Sequence, residues 1–559
     1  MNQSDLKPAY SALIISLLAI CSFLTLLLLR SLDDNRLTSW QWVFANIDLV
    51  PIFPILILGL TLAYVLSRLS FLERHPVFLF LPSFFIAAIF WRVPEVIVDA
   101  SRYFTQAKHI KVYGIGYFFH EWGRDIMVWT DLPLVPFIYG LIFKFFGEDR
   151  LYIQIFTTLL FSLTVVLTYM IGKTLWDKQT GFVGGLLLLG IPYLYSQVPL
   201  MLVDIPTMFF LTLSIFTIIK TLKQGGVGFI TISSIALLLT FFSKYSTWLW
   251  LTVLFIIFMV FLKTAPKEIF KRGGAIALLS LFLVGAATSF NYDVISDQIG
   301  LLLSFQRPGL KRWGESFIST FFFQIHPFIT VAALYSIYVA FRKKDLKYAI
   351  ISYLVFLVIF MQIKRIRYII PLFPMFTLMA SYGLMQIRNS EIRRFIVFCI
   401  ILSSLVLAYF AYLPFLQTIS TVNLKNSGKF LNSLDVANIE VFTLPQEKSV
   451  INPAISVPLL DLFTNKRVTY GMDIDPTGVW EKVKKSALRF TWEYKNPPYY
   501  MNDTKDLGKV TAVVVISSDP NQLIPEPIEQ RIKKYNSSKE FKTFSNLFRY
   551  RTVVTVYYD

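Results

Sequence analysis

Cysteine and histidine are almost missing from this chain, with two and four residues respectively in 559. Both cysteines, Cys21 and Cys399, fall inside apolar runs, so no disulfide framework is implied and each reads as a core residue. The histidines, His75, His109, His120 and His326, show no ligand spacing, so no metal or other cofactor is expected, although two carboxylates with water can hold a cation. There is no glycine-rich phosphate loop, no nucleophile elbow and no solenoid repeat or low-complexity tract. Acidic residues are few, 35 against 53 Lys and Arg. That basic surplus is spread over many short loops rather than massed in one domain, which argues against a nucleic-acid partner and for membrane orientation and anionic lipid headgroups.

Apolar sequence is abundant. At 55% hydrophobic residues and mean hydropathy +0.58 the chain holds more apolar surface than a soluble fold buries, and its runs approach the roughly 20 residues that cross hydrocarbon. The fold class predicted is a polytopic α-helical membrane protein with about thirteen spans. They lie at roughly 9–30, 48–67, 75–92, 152–172, 180–196, 205–222, 226–243, 246–263, 273–291, 323–341, 347–364, 368–387 and 394–414. The N-terminal MNQSDLKPAY carries no small-residue cleavage pattern, so the first run reads as a retained span. Leu132 to Phe146 is broken by Pro133, Pro136 and Lys144 and suits an interfacial helix.

With this count the basic short loops, around Arg68 and Arg74, Lys173 and Lys178, Lys220 and Lys223, Lys263 to Arg272, Arg342 to Lys347 and Arg388 to Arg394, share one side. The positive-inside rule makes that side cytoplasmic, with the N-terminus. Four segments follow: N-terminal helices over 1–92, a first large outer loop over 93–151, a membrane core over 152–414, and an extracytoplasmic α/β domain over 415–559. In the last, Ile439 to Leu444, Lys466 to Tyr470, Val510 to Ile516 and Thr552 to Tyr558 read as strands, and Ile524 to Tyr535 as a helix.

The same topology gathers charges on the outer face. They are Asp99, Arg102 and Tyr103 in DASRY, Asp131, Asp204 in LVDIP, Lys244 in SKY, the cluster Arg307, Lys311 and Arg312, and Lys364, Arg365, Arg367 and Tyr368 in KRIRY. Carboxylates at a membrane surface beside basic groups suit a lipid-linked phosphate substrate, because cations neutralise phosphate and a carboxylate takes a proton from an incoming hydroxyl.

In the order and common side of DASRY, FFGED, LVDIP, Ser-Lys-Tyr and Arg-Tyr-x-x-Pro, residues 90 to 390 resemble the GT-C membrane glycosyltransferases. The similarity is to the branch of protein O-mannosyltransferases and the bacterial lipid A aminoarabinose transferase. It implies a polyprenyl-phosphate sugar as donor, a lipid, glycan or protein hydroxyl as acceptor, and an inverting displacement in the plasma membrane. It further implies that Asp99 is the catalytic base and Asp204 the second carboxylate of the site. Arg102, Tyr103, Lys244, Lys364, Arg365, Arg367 and Tyr368 are expected to bind donor and phosphate, and Asp131 to belong to the acceptor side. Two other classes fit the chain: a lipid or oligosaccharide transporter or flippase, which would carry more midplane charge, and a catalytically inactive GT-C scaffold.

Overall fold

The computed structural model describes residues 3–29, 32, 43, 50–69, 75–307, 315–446, 451–471, 480–484, 486, 488–501, 512–543 and 551–559. Among the described residues each of the thirteen apolar runs falls on one helix or on a helix broken into two or three pieces. Five among the described residues are long and apolar enough to cross a membrane unaided: Tyr10–Leu29, Arg150–Leu175, Asp204–Gln224, Pro266–Ser289 and Ser390–Gln417. The others are shorter or interrupted, as where Lys178–Leu188 stops and a second helix, Pro192–Gln197, starts on a proline at its first turn.

Burial sorts the helices. Asp204–Gln224 lies inside the bundle, whereas Pro266–Ser289 turns Leu278, Leu281 and Phe282 outward at 70% exposure or more. An apolar exterior of this kind is a lipid-facing surface. Small residues let helices close up: a Cβ on Gly172 would meet the Gly181 Cα at 2.5 Å, so the helices of the Arg150–Leu188 hairpin touch backbone to backbone.

The basic loops meet at one end of the bundle. Arg394 donates to the Ser67 carbonyl at 2.6 Å, Arg393 to Gln179 at 2.9 Å, Lys347 to the Leu175 carbonyl at 3.1 Å and Arg272 to the Leu222 carbonyl at 2.8 Å. The opposite end carries the first large loop. Its helices Asp99–Tyr113 and Leu134–Phe146 cross at Gly140, where a Cβ would lie 2.8 Å from the Ala107 carbonyl oxygen.

The C-terminal domain stands over that loop on a sheet ordered β2-β1-β3-β5-β4. Its strands are β1 (Asn438–Thr443), β2 (Arg467–Thr469), β3 (Ala512–Ser517), β4 (Ser537–Phe541) and β5 (Val553–Tyr558). β1 pairs in parallel with β2 and β3; β5 runs antiparallel to β3 and β4. The central AVVVIS of β3 is buried on both faces, as its continuous apolar run dictates. β4 was not anticipated, because SSKEF is a polar, exposed edge. The expected helix 524–535 is shorter, Glu526–Ile532, since Pro525 sets its start. Val510, where the third strand was expected to start, and Lys311, Arg312 and Arg74 lie outside the described residues.

Candidate functional site

Asp99 and Asp204 occupy equivalent places. Each is the first residue of a helix, Asp99–Tyr113 and Asp204–Gln224, after a valine that offers no side-chain cap. An acidic first residue there meets the positive end of the helix dipole. Asp204 is fully buried, and the turn that presents it is pinned from the loop side. Glu95 accepts from the Met201 amide at 3.2 Å, Arg150 pairs with Glu95 at 2.7 Å and donates to the Pro199 carbonyl at 3.2 Å, and the Tyr139 hydroxyl donates to the Leu202 carbonyl at 2.6 Å.

One arginine joins the two carboxylates. Arg367 donates through Nε to Asp204 at 2.7 Å and through Nη1 to Asp99, and Lys244 holds the other Asp204 oxygen at 2.6 Å. Lys244 also lies 5.4 Å from the centre of the Tyr368 ring. Arg365 sits over the same ring at 5.1 Å, donates to the Tyr368 hydroxyl at 3.2 Å and stands 3.8 Å from Glu315. Burial pushes the Asp99 carboxyl up, but Arg367, with Arg102 and Arg365 behind it, outweighs this and holds it at about 2. Asp99 is therefore ionised, and a weak base, while Arg367 faces it.

Arg102 and Asp131 form a second pair. The guanidinium grips both Asp131 oxygens, one at 2.8 Å, and Gln106 donates to the same carboxylate at 3.2 Å. Arg102 thus faces Asp131 rather than the Arg367 cluster, and its other neighbours are the rings of Tyr103 and Phe490 at 5.4 and 4.6 Å. Tyr103 is buried, and burial carries its phenol well above the usual tyrosine range. Lys364 is exposed, and its backbone oxygen accepts from the Thr320 hydroxyl. Arg307 is exposed as well. Among the described residues no three His, Cys, Asp or Glu side chains stand close enough together to hold a metal ion.

The structure therefore brings Asp99, Asp204, Lys244, Arg365, Arg367 and Tyr368 into one cluster, places Arg102, Tyr103 and Asp131 beside it, and leaves the Lys364 side chain outside. Sequence reasoning missed Glu95, Arg150, Gln106 and Glu315. The only signal for Glu95 is a carboxylate between apolar residues in RVPEVIV; Gln106 carries none.

Residues 131–290, which include Asp131, Asp204 and Lys244, match the family model described as dolichyl-phosphate-mannose-protein mannosyltransferase. No curated protein sequence matches the chain. The fold is similar to that of ArnT from Cupriavidus metallidurans bound to undecaprenyl phosphate, with a TM-score of 0.52 at 11% identity over 85% of this chain and 97% of that one. A further similar structure is the archaeal oligosaccharyltransferase AglB from Archaeoglobus fulgidus in complex with an inhibitory peptide and a dolichol-phosphate, with a TM-score of 0.48 at 10% identity over 80% of this chain and 70% of that one. The ArnT likeness shows the fold. With the family match it bears out the resemblance to the GT-C membrane glycosyltransferases.

Proposed function

We propose that this GT-C chain is an integral membrane glycosyltransferase that moves a sugar from a polyprenyl-phosphate-linked donor to an acceptor hydroxyl, at the membrane face carrying Asp99 and Asp204. The reading rests above all on Arg367, which Asp99 and Asp204 share while Lys244 holds the far side of Asp204. Cations that neutralise carboxylates in the chain by itself are the groups for which a phosphate competes. When the donor phosphate draws Arg367 away, Asp99 loses its main counter-charge, and its own burial then raises its pKa toward that of a working base.

The transfer is a single inverting displacement. The acceptor oxygen attacks the anomeric carbon, the bond from that carbon to the phosphate oxygen breaks, and the hydroxyl proton passes to Asp99. The phosphate departs with the bonding electrons toward Arg367, Lys244 and Arg365. Positioned proton transfer is typically worth about 10²–10⁴-fold, and fixed cations at the leaving group add electrostatic stabilisation. Asp204 acts as a positioning residue that orients Arg367 and Lys244. Asp131 holds Arg102 on the acceptor side, and Tyr368 carries Lys244 and Arg365 on its ring.

The test is release of polyprenyl phosphate from a lipid-linked sugar by the chain reconstituted in vesicles. Asp99→Asn should lower kcat by about 10²-fold or more without weakening donor binding, since it removes one competitor for Arg367. Movement of the intact donor between leaflets without cleavage would replace this reading with a transporter, and neither activity would leave an inert scaffold.

A further inference from the structure

Asp99 and Asp204, which Arg367 serves together, stand on separate stretches of chain. Asp99 follows the run that leaves the Val77–Arg92 helix, and Asp204 follows the run 199–203. One buried ion pair joins the two runs. Glu95 lies four residues before Asp99, and its carboxylate oxygens accept at 3.2 and 3.3 Å from the amide of Met201, three residues before Asp204. Arg150 pairs with Glu95 at 2.7 Å, and its two other nitrogens divide between the runs, Nη1 to the Trp91 carbonyl at 3.3 Å and Nη2 to the Pro199 carbonyl at 3.2 Å. Gln154, one turn further along the Arg150–Leu175 helix, repeats the division and donates to the same two carbonyls at 3.1 and 3.5 Å.

Stability alone does not account for this arrangement. Glu95 and Arg150 are 1% and 6% exposed, and taking two charges out of water costs so much that apolar residues of the same size often hold a fold as well or better. What apolar residues lack is direction. A guanidinium is a rigid planar fork, and this one reaches Glu95, Trp91 and Pro199 at set angles. The helix that carries Arg150 and Gln154 is fixed at its start by Asp149, whose side chain accepts from the Leu151 amide at 2.8 Å, so both runs are held against one body. The C-terminal domain closes over the pair: the Phe463 ring lies 5.3 Å from the Arg150 guanidinium, and the Lys425 ammonium donates to the Arg92 carbonyl.

We propose that Glu95, Arg150 and Gln154 are positioning residues: they set the gap between Asp99 and Asp204 so that the one guanidinium of Arg367 spans both carboxylates. That the gap serves a sugar transfer rests on the glycosyltransferase reading. Arg367 reaches Asp204 through Nε at 2.7 Å and Asp99 through Nη1, a span that a planar fork does not stretch. If either run moves by about 1 Å one carboxylate is left unserved, and misplacement of that size costs up to about 10²-fold in rate. Asp99 is the one that loses the arginine, because Lys244 and Arg367 Nε hold Asp204 between them.

Arg150→Lys in the full chain in nanodiscs tests the role, because it keeps a cation for Glu95 and gives up the fork to the Trp91 and Pro199 carbonyls. Gln154→Leu removes the second bridge without touching the ion pair, and it carries the test where Arg150→Lys does not fold. Infrared titration of the chain without donor, with the Asp99 band assigned by subtracting the Asp99→Asn spectrum, follows that carboxyl independently of turnover. Asp99 should stay ionised down to about pH 3 in the parent and take its proton in the ordinary carboxylate range or above in Arg150→Lys, since its burial remains after Arg367 lets go. With lipid-linked donor, kcat per folded molecule should fall about ten- to a hundredfold and donor KM should not rise. Gln154→Leu should move both readouts the same way by less. A lowered Tm with the Asp99 titration and kcat per folded molecule unmoved in both variants would make these residues a structural tie and overturn the proposal. A moved titration in a chain that turns over no donor defeats only the glycosyltransferase reading, and turnover in the parent with Asp99 unmoved in both variants defeats only the positioning role.

Discussion

An arginine shared by two carboxylates makes their charges interdependent, so the Asp99 carboxyl titrates according to where Arg367 points. In the chain alone it is held at about 2, below any pH at which a membrane enzyme is assayed; on the proposed mechanism it rises once phosphate takes Arg367. Acidity removes a base by protonating it, and the loss sets in at higher pH the higher the base's pKa. The acid limb of kcat, which reports the donor-bound state, should therefore fall in the ordinary carboxylate range or above, while kcat/KM, which reports the free enzyme, stays flat to about pH 4. Coincident limbs in the two profiles would exclude release of Asp99 by the donor. Much of this cluster was legible in the sequence, because Asp204, Lys244 and Arg367 are charges set against apolar neighbours, where a charge is expensive and stands out. Partner choice was not legible. Arg102 was read as a phosphate ligand and Asp131 as an acceptor contact, yet the two grip each other across 29 residues of sequence, a distance that spacing alone cannot bridge.

Helices and strands followed the same division. Apolar runs located the five long apolar helices among the described residues, and the two prolines and Lys144 marked Leu134–Phe146 as a short helix. What pattern cannot give is which element docks on which. The C-terminal domain is fastened to the outer-loop helix by Lys108, which lies 2.8 Å from Glu148 and 2.5 Å from Asp461, with the Tyr500 hydroxyl donating to Asp461 at 2.6 Å. Lys111 adds a bond to Glu148 at 2.7 Å. Burial, and after it the nearby Glu148 charge, raises the Asp461 carboxyl to about 6 against the pull of Lys108. A folded-state pKa above the ordinary value means that this group's contribution to docking is complete below about pH 4 and declines as pH climbs through about 6. Hydrogen exchange of the Ser456–Asp461 helix should accordingly be slower at pH 5 than at pH 7.5 after correction for the intrinsic rate. Asp461→Asn should remove the difference; persistence of the pH dependence in that variant would assign it to another group.

At the scale of the molecule, charge and chemistry lie at opposite ends. The basic loops interlock at one end through Arg394, Arg393, Lys347 and Arg272. The carboxylate cluster and the C-terminal domain share the other, tied by Lys108 and by Arg102 over Phe490. Short loops rich in Lys and Arg are retained on the cytoplasmic side, so the site and the domain should both face outward. Single cysteines in a chain lacking Cys21 and Cys399 test this in intact cells with an impermeant maleimide. Arg124→Cys in the outer loop and Lys533→Cys in the domain replace exposed residues at the site end, and Lys343→Cys an exposed residue at the basic end. The first two should label before lysis and the third only after it. Because the outer loop and the domain lie at the same end, agreement of the first two tests the fold and the contrast with the third tests the orientation. Labelling of Lys343→Cys alone would turn the protein over and put the donor site in the cytoplasm, whereas labelling of Arg124→Cys without Lys533→Cys would break the shared end itself.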